Sequence, residues 1–170
     1  NTRIIHRVNE CDARKDTRGV DEMLSKCSEF TDMTIFVSNW MRNYHINSGW
    51  KCKNNKVLIN GVLKNFKKDK KIDNGKVNIV THHWSDNYLK GFDIYDKIDS
   101  FVKENDEFTF TYIGRERGTF SNTRVIKPIH GEKLMEELTK YDIYVSASRY
   151  DPGPNHILES LYIIACKYRC

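Results

Sequence analysis

Two spacings of apolar residues alternate along the chain. Short runs rich in β-branched and aromatic residues read as strands: Arg3–Val8, Met33–Val37, Val57–Ile59, Lys76–Thr81, Phe108–Ile113, Arg124–Lys127 and Asp142–Val145. Between them lie stretches with apolar residues three or four apart, the signature of a helix with one buried face. These are Asp21–Phe30 (Met23, Leu24, Cys27), Asn39–Ile46, Tyr95–Val102 (with Ile94, Ile98, Phe101), Glu132–Lys140 (Leu134, Leu138) and Asn155–Tyr168 (Leu158, Leu161, Tyr162, Ala165). Strands alternating with helices predict an α/β architecture built on parallel sheet. Asn60-Gly61 is a turn signal, and a lysine-rich stretch follows it. A boundary is therefore expected in residues 60–75. Beyond it the order β-α-β-β-α-β-α predicts a Rossmann-like, doubly wound sheet, in which ligands bind outside the carboxyl ends of the strands.

Composition narrows the classes without choosing one. The 170 residues, 39% of them hydrophobic, fit one domain, or one domain and a piece of another. No run is long enough to span a bilayer, and no secretory signal pattern opens the chain. The five cysteines are odd in number and form no C-x-x-C pair. Structural zinc is therefore not expected, and reduced thiols in a cytoplasmic setting are. The net charge of +5 is mild, and much of the excess sits in Lys64–Lys71. That run reads as a solvated linker or a contact for anionic lipid at a membrane periphery. No motif for RNA or DNA is present, so no nucleic-acid partner is expected.

The chemistry concentrates in Asp151-Pro-Gly-Pro-Asn-His-Ile-Leu-Glu159. Two acids flank a Pro/Gly turn that runs from a strand into a helix. Free N–H groups at a helix start favour an anion. Pro154 suits a first helical turn, and Gly153 lets backbone approach a ligand closely. Taken alone, the same stretch is an ordinary βα turn carrying two solvated acids. No G-x-S-x-G elbow, dinucleotide fingerprint or Walker A loop occurs elsewhere. His82 and His83 are adjacent strand residues that point to opposite faces, so no metal site is expected there.

In order and spacing the chain resembles the retaining GT-B glycosyltransferases, particularly glycosyltransferase family 4, over about residues 31–166. Asp151–Glu159 looks like the family's E-x7-E motif, with Asp151 in place of the first Glu. Thr31–Trp40 resembles its strand ending V-S-x-W, and Lys56–Val62 its V-I-x-N-G-V crossover between domains. Val80–Gly91 resembles the strand and loop ending in K-G. The resemblance implies an acceptor-domain tail and crossover in residues 1–65. It also implies a partial donor-binding domain in residues 66–170, incomplete at its C-terminus, the chain being a portion of a larger enzyme.

The resemblance further implies transfer of a sugar from a nucleotide-sugar donor to an acceptor hydroxyl, with retention and with no cofactor or obligatory metal. Glu159 would then take the ribose hydroxyls and Asp151 the donor sugar. Lys90 would meet the diphosphate beside Gly153, Pro154, Asn155 and His156. The family's Arg five residues before that Lys is Ser85 here, and Arg115 is the candidate replacement, with Arg117 beside it. An epimerase of similar build and a non-catalytic nucleotide-sugar-binding module remain as alternatives. The isolated chain is expected to be inactive in transfer.

Overall fold

The computed structural model describes residues 2–62 and 71–167, with side chains up to residue 163. It divides into two compact units. One comprises Asn1–Gly61 and Tyr150–Pro154, the other Val62–Arg149 and Asn155–Cys170. A single cut at 65/66 leaves the turn at 150–154 with the second unit; the structure groups it with the first.

The first unit is a three-stranded parallel sheet ordered β1-β2-β3, formed by β1 (Ile5–Val8), β2 (Met33–Phe36) and β3 (Asn55–Val57). Parallel neighbours require crossovers. They run through α1 (Asp12–Lys15) and α2 (Val20–Glu29), then through α3 (Asn39–Asn47). The four-residue α1 has no periodicity to betray it, and β3 lies two residues earlier than the apolar run suggested. Ser38 caps α3, its Oγ accepting from the Met41 N–H at 3.1 Å. The Asp12 and Asp21 carboxylates each accept from the other residue's backbone N–H, tying α1 to the start of α2. Tyr44 donates to Asp21 at 2.7 Å. That bond, helped by burial and by the Asp21 charge, pushes the Tyr44 phenol up to about 12. Val8, Cys11, Phe36, Val37, Met41 and Trp50 form the core. Met23 and Cys27, expected inward on α2, are exposed, and Ser28 is the buried residue there.

The second unit is a four-stranded sheet of order β6-β5-β4-β7, every neighbouring pair parallel. Its strands are β4 (Val77–His83), β5 (Phe108–Gly114), β6 (Arg124–Ile126) and β7 (Ile143–Tyr144). Ile79 on β4 packs with Phe92, Tyr95 and Val102 of α4 (Phe92–Glu104). Val80, one residue on, packs with Leu134, Met135 and Leu138 of α5 (Glu132–Leu138) and Ile163 of α6 (Asn155–Lys167). Successive strand residues face opposite sides, so α4 covers one face and α5 and α6 the other. This is the doubly wound parallel α/β arrangement that the alternation predicted.

Which helix residues face inward was less legible. On α4 the buried set is Phe92, Tyr95, Asp99 and Val102, while Ile94 and Phe101 are exposed. Asp99 turns its face inward because its carboxylate collects donors from the next loop. It accepts from Ser121 N, Asn122 N, Asn122 Nδ2 and Thr123 Oγ1 at 2.6–3.2 Å. Burial opposes its charge, but these donors prevail and hold its pKa below the ordinary value. A depressed carboxylate stabilises the fold above the unfolded pKa of about 3.9 and loses that contribution as pH falls through the folded value. Asp99→Asn should therefore lower stability near neutral pH and flatten the acid limb of the stability profile. Urea unfolding at several pH values below 6 checks it; parallel profiles for variant and parent would refute it.

On α6, Leu161 is exposed, and His156, Ser160 and Ile163 are the buried positions; Ala165 lies outside the described side chains. The basic run Lys64–Lys71 lies, apart from Lys71, outside the described residues. Lys71 pairs with Asp142 at 2.7 Å. Among the described residues no helix is long and apolar enough to cross a membrane.

Candidate functional site

The chain enters the second sheet at β4, builds outward through β5 and β6, then returns to place β7 on the other side of β4. The strand order therefore reverses between β4 and β7. In open α/β sheets such a switch point leaves a crevice outside the carboxyl ends of the two strands. The segments after those strands, residues 84–91 and 145–149, carry the sequence features singled out above.

After β4 the chain makes a 3-10 turn, Tyr88–Lys90, whose cap Asn87 accepts from the Leu89 N–H at 2.9 Å. Lys90 is buried, and Gly91 follows with φ +91°. A Cβ at Gly91 would stand 2.4 Å from the Ala147 carbonyl oxygen, so only glycine lets this loop lie against the segment after β7. The Lys-Gly pair thus has a local packing reason as well as a candidate chemical one. Arg149 N–H donates to the Leu89 carbonyl at 2.9 Å, and its guanidinium pairs with Asp93.

His82 and His83 end β4 on opposite faces, as strand geometry requires. His82 lies on the α6 face with its Nε2 2.9 Å from Glu159 Oε2. An ionised carboxylate only accepts, so this Nε2 carries hydrogen. His83 lies on the α4 face, its Nε2 2.6 Å from Tyr95 Oη. Tyr95 Oη also accepts from Thr81 Oγ1 and from the Ala147 N–H. The tyrosine thus has its proton left for His83 Nε2. Burial first, then the nearby His156, Lys90 and His82, push the His83 imidazole down to about 2, so it stays neutral. His156, on the first turn of α6, stands 3.0 Å from Ser146 Oγ and packs edge-on against His83.

The expected site residues therefore divide. Lys90, His156 and Glu159 belong to the second unit and sit on elements bordering the switch point. Asn155, the first residue of α6, belongs to it too and is exposed. Asp151, Gly153 and Pro154 belong to the first unit. There Asp151 Oδ1 lies 3.8 Å from Arg14 Nη2, with only 7% of its side chain exposed. The Gly153 carbonyl accepts from Asn60 Nδ2 at 2.9 Å, and a Cβ there would meet Val37 at 2.8 Å. The close approach that calls for this glycine is to Val37 and Asn60 of its own unit. Arg115 holds its guanidinium 5.0 Å from the Trp84 ring centroid, and Arg117 and Arg149 flank Tyr88. Among the described residues, no three of His, Cys, Asp and Glu come together to hold a metal ion. The sequence reading missed the His82–Glu159 and His83–Tyr95 pairs. The first spans 77 positions and leaves no local pattern to find.

No family model matches the chain, and no characterised protein matches it by sequence. Solved structures do resemble it. TarM from S. aureus, a variant in complex with UDP, fondaparinux and alpha-GlcNAc-glycerol, aligns at TM-score 0.71 and 12% identity, over 94% of this chain and 35% of that one. Sucrose-phosphate synthase from Thermosynechococcus elongatus aligns at 0.66 and 14%, over 95% and 48%. The pneumococcal O-GlcNAc transferase GtfA, in complex with UDP and GlcNAc, aligns at 0.57 and 14%, over 84% and 30%. The chain thus spans about a third to a half of these longer chains. At such identities the likeness establishes the fold alone, a Rossmann-like α/β arrangement of parallel sheets shared with these transferases.

Proposed function

We propose that this chain is the nucleotide-sugar-binding portion of a GT-B glycosyltransferase that moves a sugar to an acceptor hydroxyl with retention. One observation carries the reading. The switch point of a parallel sheet is bordered by a buried lysine on one side and by the helix bearing His156 and Glu159 on the other. The shared fold with transferases whose complexes contain UDP supports it.

In this reading Lys90 and the first turn of α6, with Asn155 and His156, neutralise the departing diphosphate. Stabilising that leaving group lowers the barrier to an oxocarbenium-like transition state. Glu159 accepts from the ribose hydroxyls. Asp151 contributes to the donor sugar only after its Arg14 contact is exchanged, and Gly153 and Pro154 shape the turn that carries it. Arg115 supplies a further cation by leaving the Trp84 face. Diphosphate charge is met by these groups without a metal or cofactor.

Calorimetric titration of the chain with UDP, with and without chelator, tests binding. The expected result is weak binding, unchanged by EDTA. An affinity abolished by EDTA would overturn the metal-free reading, and no binding of any nucleoside diphosphate would overturn the function. In the full enzyme of which the chain is proposed to be a portion, turnover with labelled nucleotide sugars separates the alternatives through transferred sugar, epimerised donor or unchanged donor. The isolated chain is expected to leave the donor unchanged, because transfer needs donor and acceptor held together.

A further inference from the structure

We infer that His82 is a positioning residue that fixes the Glu159 carboxylate so that its free lone pairs meet a vicinal diol of the bound ligand, the ribose 2′- and 3′-hydroxyls of a nucleotide. The inference rests on the nucleotide-binding reading above and deepens it.

His82 sits on β4, an inner strand of the four-stranded sheet, flanked by β5 and β7. Its ring is held edge-on by Tyr144 at 5.4 Å and by His156 at 6.1 Å between centroids. Its side chain is 8% exposed, whereas that of Glu159 is 28% exposed. The buried partner is therefore the rigid one, and the open partner is the one a ligand can reach. Nε2–H occupies one lone pair of Oε2. The remaining sites of a carboxylate accept two hydroxyl donors at once, which matches adjacent hydroxyls on a five-membered ring.

A glutamate has three rotatable bonds, and ordering them opposes binding. His82 places that ordering in the folded state, so the ligand meets a carboxylate already fixed.

The test uses the whole chain with His82→Phe, His82→Gln, Glu159→Ala and the His82→Phe/Glu159→Ala double variant. Dissociation constants are measured for UDP, for 2′-deoxy-UDP and for inorganic pyrophosphate. His82→Phe should weaken UDP roughly tenfold, the size of coupling between groups in one network. It should weaken 2′-deoxy-UDP less and leave pyrophosphate unchanged. His82→Gln, which keeps an N–H donor, should restore most of the loss. The double variant should bind UDP no worse than Glu159→Ala alone. If Glu159→Ala loses UDP while His82→Phe does not, the inference fails and the functional reading stands. Equal losses for UDP and pyrophosphate with His82→Phe would mean general damage to the fold and also overturn it. If Glu159→Ala binds UDP as the parent does, Glu159 leaves the site and His82 leaves with it. If the parent chain binds no UDP, both the functional reading and the inference fall. Should His82→Phe not fold, His82→Asn, too short to reach Glu159, takes its place with the same expectations.

Discussion

Gly114→Ala is expected to lower the stability of the chain by roughly 3–5 kcal/mol, because backbone overpacking adds to a disfavoured backbone conformation. Gly114 ends β5, pairs in register with His83 and has φ +148°. A Cβ there would stand 1.9 Å from the His83 carbonyl oxygen. That neighbour is backbone in a sheet ladder and has no rotamer to escape into. Relief has to come from displacing the end of β4, which carries both His82 and His83. Gly118→Ala is the control. Its φ is also positive, at +91°, but nothing lies within 4 Å of the added Cβ. It should cost only about 1–2 kcal/mol, the steric price of a left-handed backbone. Urea unfolding of both variants decides the matter. Equal losses would mean that the close approach to His83 is not a constraint.

Glu159→Ala is expected to weaken UDP binding roughly ten- to hundred-fold, the effect of losing about 1.5–3 kcal/mol in charge-assisted hydrogen bonds. The carboxylate is partly open, lies on α6 beside the switch point and is held by His82. Its removal also leaves His82 without its Nε2 acceptor, so thermal unfolding must accompany the titration. Unchanged affinity at unchanged stability would remove Glu159 from the site. Lost affinity together with lost stability would assign the pair to the core instead.

Much of the fold was legible. Segments such as Val77–His83 and Phe108–Gly114 are dense in β-branched and aromatic residues, and the helices between them have regular spacing. Their alternation is enough for parallel α/β layers, since parallel neighbours need crossovers. The phase of each helix was less legible. Phe101 and Leu161 fit a buried stripe by spacing yet are exposed, while Asp99 and His156 fit a polar face yet are buried. Helical periodicity ranks apolar residues, and it is blind to partners that arrive from elsewhere, such as Ser121–Thr123 for Asp99.

The candidate site follows the same division. By itself the sequence determined the βαβ order, the Lys90-Gly91 pair and the turn from Asp151 to Glu159, because these are written in contiguous residues. Only the tertiary structure decided which side chains meet. It put Asp151 beside Arg14, 137 positions away, and grouped the turn at 150–154 with the first unit. It put Glu159 against His82 and His83 against Tyr95. It also gave Gly153 a reason in Val37 and Asn60. Each pairing depends on strand order and on which helix covers which face. Those are set by the joint burial of the whole sheet, and no local run of residues encodes them.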